Sequence, residues 1–274
     1  MRICITHKTH YRYERPVKAL TQILRLTPRS HDGQHVRKWR IEPSVDGRLR
    51  PREDTFGNIV HVFSADASVE EITICVTGEI ETHDTAGVVR GTVERLPDLF
   101  YLRDTDLTAA DDAIRDFARS IANGPFEPLS ALHRLLDALH RRIAFDVEPT
   151  HAATTAAEAF SLGRGVCQDL THVFIAASRC LGVPARYVSG YFHRADGVVE
   201  QEAGHAWAEA KIPEFGWVGF DAANGISVTE AHVRIAIGLD YLGAAPIRGT
   251  RTGGGSEDLK VLLKVDSAQR QSQT

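Results

Sequence analysis

Four cysteines occur in this chain, Cys4, Cys75, Cys167 and Cys180, and one has a context suited to reactivity. Cys167 follows Gly163-Arg164-Gly165-Val166 and opens a stretch with Leu170, Val173, Phe174 and Ala177 at helical spacing. That spacing predicts a helix over 167–181, closed by Gly182 and Pro184. A helix start leaves its first N–H groups unpaired and carries the positive end of the dipole. Both favour the thiolate, which is the nucleophilic form of cysteine. The same amides can face a developing oxyanion, and the Cys167 backbone N–H is the natural donor. A thiolate of this kind needs a base. His205 opens one predicted strand, 205–212, and Asp221 ends the next, 217–221, with Pro213 and Gly216 marking a hairpin between them. Side chains alternate along a strand, so His205 and Asp221 share a face only if cross-strand partners have numbers with an even sum. Lys211 opposite Phe215 meets that condition, and so does Lys211 opposite Trp217. A four-residue turn fails it unless a bulge intervenes. In either even register Asp221 can orient His205, and His205 can pair with Cys167 as nucleophile, base and orienter.

The remaining candidates read more plainly. Cys4 and Cys75 lie in strand patterns, and Cys180 sits late in the predicted helix as a small hydrophobe. Trp207 and Trp217 are expected as core aromatics. Asp169 complements the helix dipole, and Gln168 is a surface amide or a helper to an oxyanion. No metal site is expected from the 13 histidines. His7 and His10 fall on opposite faces of a strand, and His31 and His35 lack partners at zinc spacing. Arg48-Leu49-Arg50-Pro51-Arg52 is balanced by Glu53-Asp54 and reads as a solvated loop.

The elements that must position these groups fall into two textures. The first hundred residues alternate. Arg2–Tyr13 and Gln22–Leu26 read as two strands, followed by 36–41, 59–63 and 71–80, the last with Ile72, Ile74, Val76 and Ile80 on one parity. Beyond Asp104 helical spacing takes over. Thr108-Ala109-Ala110-Asp111 resembles a capping box before one helix, Asn123-Gly124-Pro125 stops it, and Pro128 starts another. Thr154–Phe160 reads as a short helix, 186–192 as a strand, Thr229–Ile237 as a short helix, Gly253-Gly254-Gly255 as a hinge and Leu259–Val265 as a last strand. The expected division is a β-rich unit at 1–103, a second unit at 104–268 and a flexible tail at 269–274.

Composition bounds the rest. The chain has 274 residues, of which 43% are hydrophobic and 25% charged, with a net charge of −4. Those values are globular and offer no bulk basic surface to nucleic acid. No apolar run approaches the roughly 20 residues of a membrane helix, and the first residues lack a signal-peptide apolar segment. Four scattered cysteines without a CxxC pair speak against a disulfide scaffold or a cysteine-rich zinc site. A cytoplasmic, reducing location is the expectation.

Four blocks in order also resemble one family. They are Gly165-Val166-Cys167-Gln168-Asp169, Gly182-Val183-Pro184-Ala185-Arg186-Tyr187-Val188-Ser189-Gly190-Tyr191, Gly204-His205-Ala206-Trp207-Ala208-Glu209 and Gly216-Trp217-Val218-Gly219-Phe220-Asp221. They are similar to the bacterial transglutaminase-like superfamily. Thr9-His10-Tyr11-Arg12-Tyr13 and Asp54-Thr55-Phe56-Gly57-Asn58 look like its bacterial N-terminal β-region. The resemblance implies an α+β protein, with an antiparallel sandwich or barrel-like first domain and a papain-like core in which the nucleophile helix packs on an antiparallel sheet. It carries Cys167, His205 and Asp221 over as catalytic. Where the family often has Asp-Pro-Thr-Asn, this chain has Asp221-Ala222-Ala223-Asn224. The implied function is amide or peptide hydrolysis through a thioester, without cofactor. The alternatives are acyl transfer to an amine and a weakly catalytic binding module. No calcium-loop spacing occurs. The expected partner is a peptide or protein amide substrate, with no nucleic acid and no membrane, and oligomeric state is left open.

Overall fold

Burial along the first strand shows how the sequence builds the first layer. From Ile3 to Val17 the buried positions are mostly odd, and from Leu20 to Leu26 they are even. The switch coincides with a bulge between Val17 and Ala19. One extra residue flips every later side chain to the opposite face. The two strands expected here are therefore one continuous, bent strand, β1 (Arg2–Thr27). Pro16 sits in the stretch where pairing to the neighbouring strand lapses, as a residue without an N–H requires.

The computed structural model describes residues 1–122 and 127–267. The expected helix stop at Asn123-Gly124-Pro125 and the tail at 269–274 lie outside the described residues. After β1 come β2 (Gln34–Pro43), β3 (Gly47–Glu53), β4 (Ile59–Ala65), β5 (Val69–Thr82) and β6 (Val88–Val89). The arginine-rich stretch expected as a loop is the exposed strand β3, paired to β4 alone. β1 pairs with β5 along its first half and β4 along its second, and with later strands on its other side, giving an antiparallel near-barrel.

The second region begins with α1 (Asp112–Ile121) and α2 (Pro128–Arg142). Asp111, not Thr108, caps α1, accepting from the Ile114 N–H at 2.8 Å. Next are β7 (Ala144–Phe145), α3 (Ala156–Leu162), β8 (Arg164–Gly165) and α4 (Cys167–Cys180). Then follow β9 (Ala185–Phe192), β10 (Glu200–Gln201), β11 (His205–Ile212), β12 (Gly216–Asp221), β13 (Ile226–Ser227) and β14 (His232–Gly238). Last are α5 (Tyr241–Ala244), β15 (Ile247–Gly253) and β16 (Glu257–Ser267). The second sheet runs β13-β12-β11-β9-β14. α4 lies across it, buried from Asp169 to Arg179. Ala206, Ala208 and Ala210 of β11 face α4 in one apolar cluster with Val173 and Phe174. Small residues there let helix and sheet approach closely, and Phe174 stacks on Phe220 at 5.1 Å.

Two expectations need correction. The segment Thr229–Ile237 holds β14, a strand rich in β-branched residues, rather than a helix. The expected second unit, 104–268, does not keep its last strands: β15 and β16 pair with β1 and complete the first sheet. Gly253, Gly254 and Gly255 have φ of 84°, 94° and 70° and form the tight connection between these two strands.

The two regions are bonded along the edge strand β14. The Asn58 side chain donates to Ile237 C=O at 2.8 Å and accepts from Ile237 N–H at 2.9 Å. Gln34 does the same for Arg234, at 2.9 and 2.8 Å. Two side-chain amides thus stand in for a neighbouring strand. Ile3, Ile5, Ile80 and Val265 bury the contact against Tyr191, Val233 and Ile235. Asn58→Ala orphans both buried groups of Ile237 and is expected to cost about 2–3 kcal/mol in urea unfolding. An unchanged midpoint and slope would show that the amide is dispensable.

Candidate active site

α4 begins without a side-chain cap from Val166. Asp169 instead folds back, and its Oδ2 accepts from Val166 N–H at 2.8 Å and from the Thr150 hydroxyl at 2.7 Å. Burial pushes the Asp169 pKa up, against these hydrogen bonds. The carboxylate lies over Gly165, where a Cβ would sit 2.7 Å from its Oδ2, so the position before Val166 must be glycine. Among the described residues the N–H groups of Cys167 and Gln168 meet no protein acceptor. They are the free amides of the first turn. Cys167 is half-buried, with a free thiol. The Gln168 side chain reaches Ala152 C=O at 3.4 Å, which ties it to the preceding loop.

The hairpin carries the other groups. Lys211 pairs with Trp217 and Ile212 with Gly216, the second of the two even registers. Even positions of β11 face α4, whereas Trp207 lies with Val188 and Ile237 on the other side. His205, the first residue of the strand, donates from Nε2 to Asp221 Oδ2 at 2.6 Å. That leaves Nδ1 uncommitted, and Cys167 lies near enough to add to the charge balance of the ring. Burial alone would lower the His205 pKa. The Asp221 carboxylate, with Cys167 adding to it, pushes it instead from 6.5 up to about 10. The Asp221 carboxyl is fully buried. Burial alone would raise its pKa, but His205 and His232 hold it far below the usual carboxylate range.

His232, from β14, is the functional residue that sequence reasoning missed. Its Nε2 lies 3.0 Å from Asp221 Oδ2. Thr229 N–H donates to its Nδ1 at 3.1 Å. Nδ1 is thus an acceptor, so the neutral ring carries its proton on Nε2 and donates it to Asp221. Asn224 adds a further donor to Oδ2 at 2.7 Å, and its backbone N–H reaches Oδ1 at 3.2 Å. The expected helix concealed His232; the alternating β-branched run Val233, Ile235, Ile237 was the signal available.

Ligand atoms of His205, Asp221 and His232 lie within 4.8 Å of one another, a spacing that invites a cation. The donor set does not fit one. A cation on His232 Nε2 requires that nitrogen's lone pair, while Thr229 N–H already occupies the lone pair on Nδ1. The cluster is a hydrogen-bond clamp on Asp221. Trp207 is buried edge-on to His232 at 5.2 Å, and its ring N–H has no partner among the described residues. Trp207 shares the face of β11 that carries His205 and packs beside both histidines of the clamp, 6.2 Å from the His205 ring. Trp217 packs under the Arg186 guanidinium at 3.8 Å. Of the other cysteines, Cys180 is exposed rather than buried, and Cys4 and Cys75 are half-buried. Partial desolvation, with a nearby carboxylate, raises the pKa of both Cys4 and Cys180.

Comparison with known proteins places this geometry. Residues 115–222 match the Transglutaminase-like superfamily, and residues 3–81 match the bacterial transglutaminase-like N-terminal region. An uncharacterized protein of Mycobacterium leprae is 29% identical over 278 residues, covering 96% of this chain and 98% of the relative. An uncharacterized protein of Mycobacterium tuberculosis is 29% identical over 275 residues, covering 89% and 86%. A solved structure from Cytophaga hutchinsonii, described as a "Putative Cysteine Protease", superposes with a TM-score of 0.79 at 19% identity, over 98% of this chain and 91% of that one. That likeness is one of fold. No helix among the described residues is long and apolar enough to cross a membrane.

The clamp predicts a pH signature. The folded pKa of His205 lies above 6.5, so its share of stability is complete below about pH 6.5 and fades as pH rises through about 10. The share of Asp221 is complete above its ordinary 3.8 and fades as pH falls. The stability gap between the wild-type chain and His205→Gln, read by urea unfolding, should be widest between pH 4 and 6.5 and narrow toward pH 10. A gap that widens with pH would contradict the assignment. His232→Leu removes one donor from a buried carboxylate, at a cost of about 1–3 kcal/mol. Its acid-unfolding midpoint should move to higher pH, and a midpoint that stays put would remove His232 from the clamp.

Proposed function

We propose that this chain, which carries a transglutaminase-like superfamily core behind a bacterial transglutaminase-like N-terminal region, is a cysteine enzyme that cleaves amide bonds through a thioester. The observation that carries the proposal is the orientation of His205. Asp221 holds Nε2 at 2.6 Å, which leaves Nδ1 as the nitrogen that can serve a thiol at the free end of α4. The assignment of Cys167 as nucleophile, His205 as acid and base, and Asp221 as orienter follows from that order.

The Cys167 thiolate attacks the amide carbonyl carbon while His205 carries a proton. The carbonyl oxygen becomes an oxyanion, and the Cys167 N–H is placed to donate to it. The carbon–nitrogen bond then breaks, and the imidazolium passes its proton to the leaving amine. An acyl thioester and a neutral His205 remain. Water attacks the thioester carbonyl while His205 takes one of its protons. The second tetrahedral species expels Cys167 sulfur, releasing a carboxylic acid and restoring the ion pair. An amine in place of water gives acyl transfer by the same steps. Water is taken as the acceptor because nothing in the sequence announces an amine site or a calcium loop. The clamp serves this cycle by fixing the ring: three side chains hold Asp221 Oδ2, so the imidazole gains and loses a proton without reorienting.

The test begins with thiol reactivity. Iodoacetamide at neutral pH should modify Cys167 well ahead of Cys4 and Cys180, whose pKa values are raised. His205→Ala should slow that labelling and lower turnover of a responsive amide by about 10²–10⁴-fold. Such an amide is found by screening peptide and amide libraries with and without added amines. Mass spectrometry of Cys167 should reveal the acyl-enzyme. Equal, slow labelling of all the cysteines would sink the activated thiolate. Product carrying the added amine would shift the reading from hydrolysis to acyl transfer.

A further inference from the structure

Asn224 is the weakest member of the clamp on Asp221. It is exposed, yet its amide donates to a buried carboxylate and lies 3.3 Å from His205 Nε2. Water competes for an exposed amide, so this bond lasts only if the backbone beneath it is fixed. The residues of the turn, 222–225, do little to fix it. Ala222 and Ala223 carry no polar side chain. Gly225, at a φ of 66°, is the residue type with the widest conformational freedom.

Helix α2 supplies what the turn lacks. His133 and His140 are seven residues apart, two helical turns or about 10 Å, and so lie on one face. His140 Nδ1 donates to Ala222 C=O at 3.2 Å, at the start of the turn. His133 Nε2 lies 3.1 Å from Ser227 Oγ, just past its end. Between these two bonds the His140 ring lies against Gly225, where a Cβ would come within 2.8 Å of the ring carbons. The His133 ring also packs edge-on to Phe220, the neighbour of Asp221, at 5.3 Å. Both ends of the segment that carries Asn224 are thus tied to one rigid helix.

We propose that His133 and His140 are positioning residues for the site: they fix the turn 222–225 so that Asn224 keeps its amide on Asp221 and covers the bond from His205 Nε2. Neither histidine is buried, and neither reaches the reacting atoms. They act through Asn224, and Asn224 acts through the carboxylate. The inference goes beyond the amide-cleaving reading and rests on the clamp alone.

The test reads the clamp directly and needs no substrate. Proton NMR of the full chain follows the proton on His205 Nε2, identified by its loss in His205→Gln. In His133→Leu with His140→Leu, its exchange with water should quicken about tenfold, the worth of one hydrogen bond to a charged group. Asn224→Ala should quicken it by the same factor. Adding that change to the two leucines should quicken it no further, since all three act through one amide. His133→Gln with His140→Asn returns a donor at each ring-nitrogen position and should restore slow exchange. Thermal unfolding of each variant separates this from lost stability: a merely structural pair would lower the midpoint and leave the ring proton of the folded chain unchanged. Wild-type exchange in the leucine variant, no rescue by Gln and Asn, or an effect that adds to that of Asn224→Ala would overturn the proposal. So would a wild-type ring proton that already exchanges freely. Where the double leucine variant fails to fold, His140→Leu alone carries the same comparison, because that side chain is exposed. A chain that protects the proton but cleaves no amide would sink the enzymatic reading and leave this one standing.

Discussion

A carboxylate taken fully out of water must be met by donors, and Asp221 imposes that demand on the rest of this molecule. A buried, uncompensated carboxylate would protonate and cease to orient anything. Here its oxygens accept from His205, Asn224 and His232, which belong to β11, to the turn after β12 and to β14. These groups meet only if the hairpin keeps an even register and the sheet curves enough to bring its edge strand to the same point. The register is fixed by Lys211 against Trp217, and the curvature brings β14 around β9. Sheet geometry and site chemistry are therefore one constraint.

A second set of buried charges works on the same sheet. Arg186 and Glu209 are fully buried and 2.7 Å apart, Arg234 meets Glu209 at 2.7 Å, and Glu94 meets Arg186 at 2.8 Å. Two cations and two anions cancel. Such a network is weak evidence for stability, because desolvation offsets much of its attraction, but losing one partner strands a charge. What it does here is positional. It locks β9, β11 and β14 to each other and to the segment that leads out of the first sheet. Arg179 acts likewise from α4, donating to backbone carbonyls of Tyr101, Ala185 and Leu239. Helix, sheet and linking segment are held at the distances that the small alanines of β11 permit.

Much of this was legible in the chain, and the exceptions share a cause. The start of α4, the strands bearing His205 and Asp221 and the even register follow from short-range rules: helix punctuation, alternation and turn length. The β-rich first layer followed in the same way. What local rules missed were elements whose state is set by distant partners. Thr229–Ile237 is short and apolar enough to suit helix or strand, and its pairing with β9 decides the matter. Ile247–Gly253 and Glu257–Ser267 read as separate pieces near the end of the chain, but β1 recruits them across more than two hundred residues. His232 was missed for the same reason, since its value as a donor depends on a strand that only tertiary pairing creates.

The position of β10 extends the argument to the first sheet. Between β9 and β11 the chain leaves the second sheet. Glu200 and Gln201 pair there with Lys264 and Leu263, and Val265 N–H donates to Val199 C=O at 3.0 Å. Four residues later comes His205. The same first sheet supplies Asn58 and Gln34 to the free edge of β14, the strand of His232. Both histidines that hold Asp221 are thus approached through contacts with the β-rich region, one by the segment that precedes it and one by the edge that carries it. Catalytic groups act best when their supports leave them little freedom. The N-terminal region is then part of the frame that holds His205, and its own sheet is completed by strands drawn from the far end of the chain.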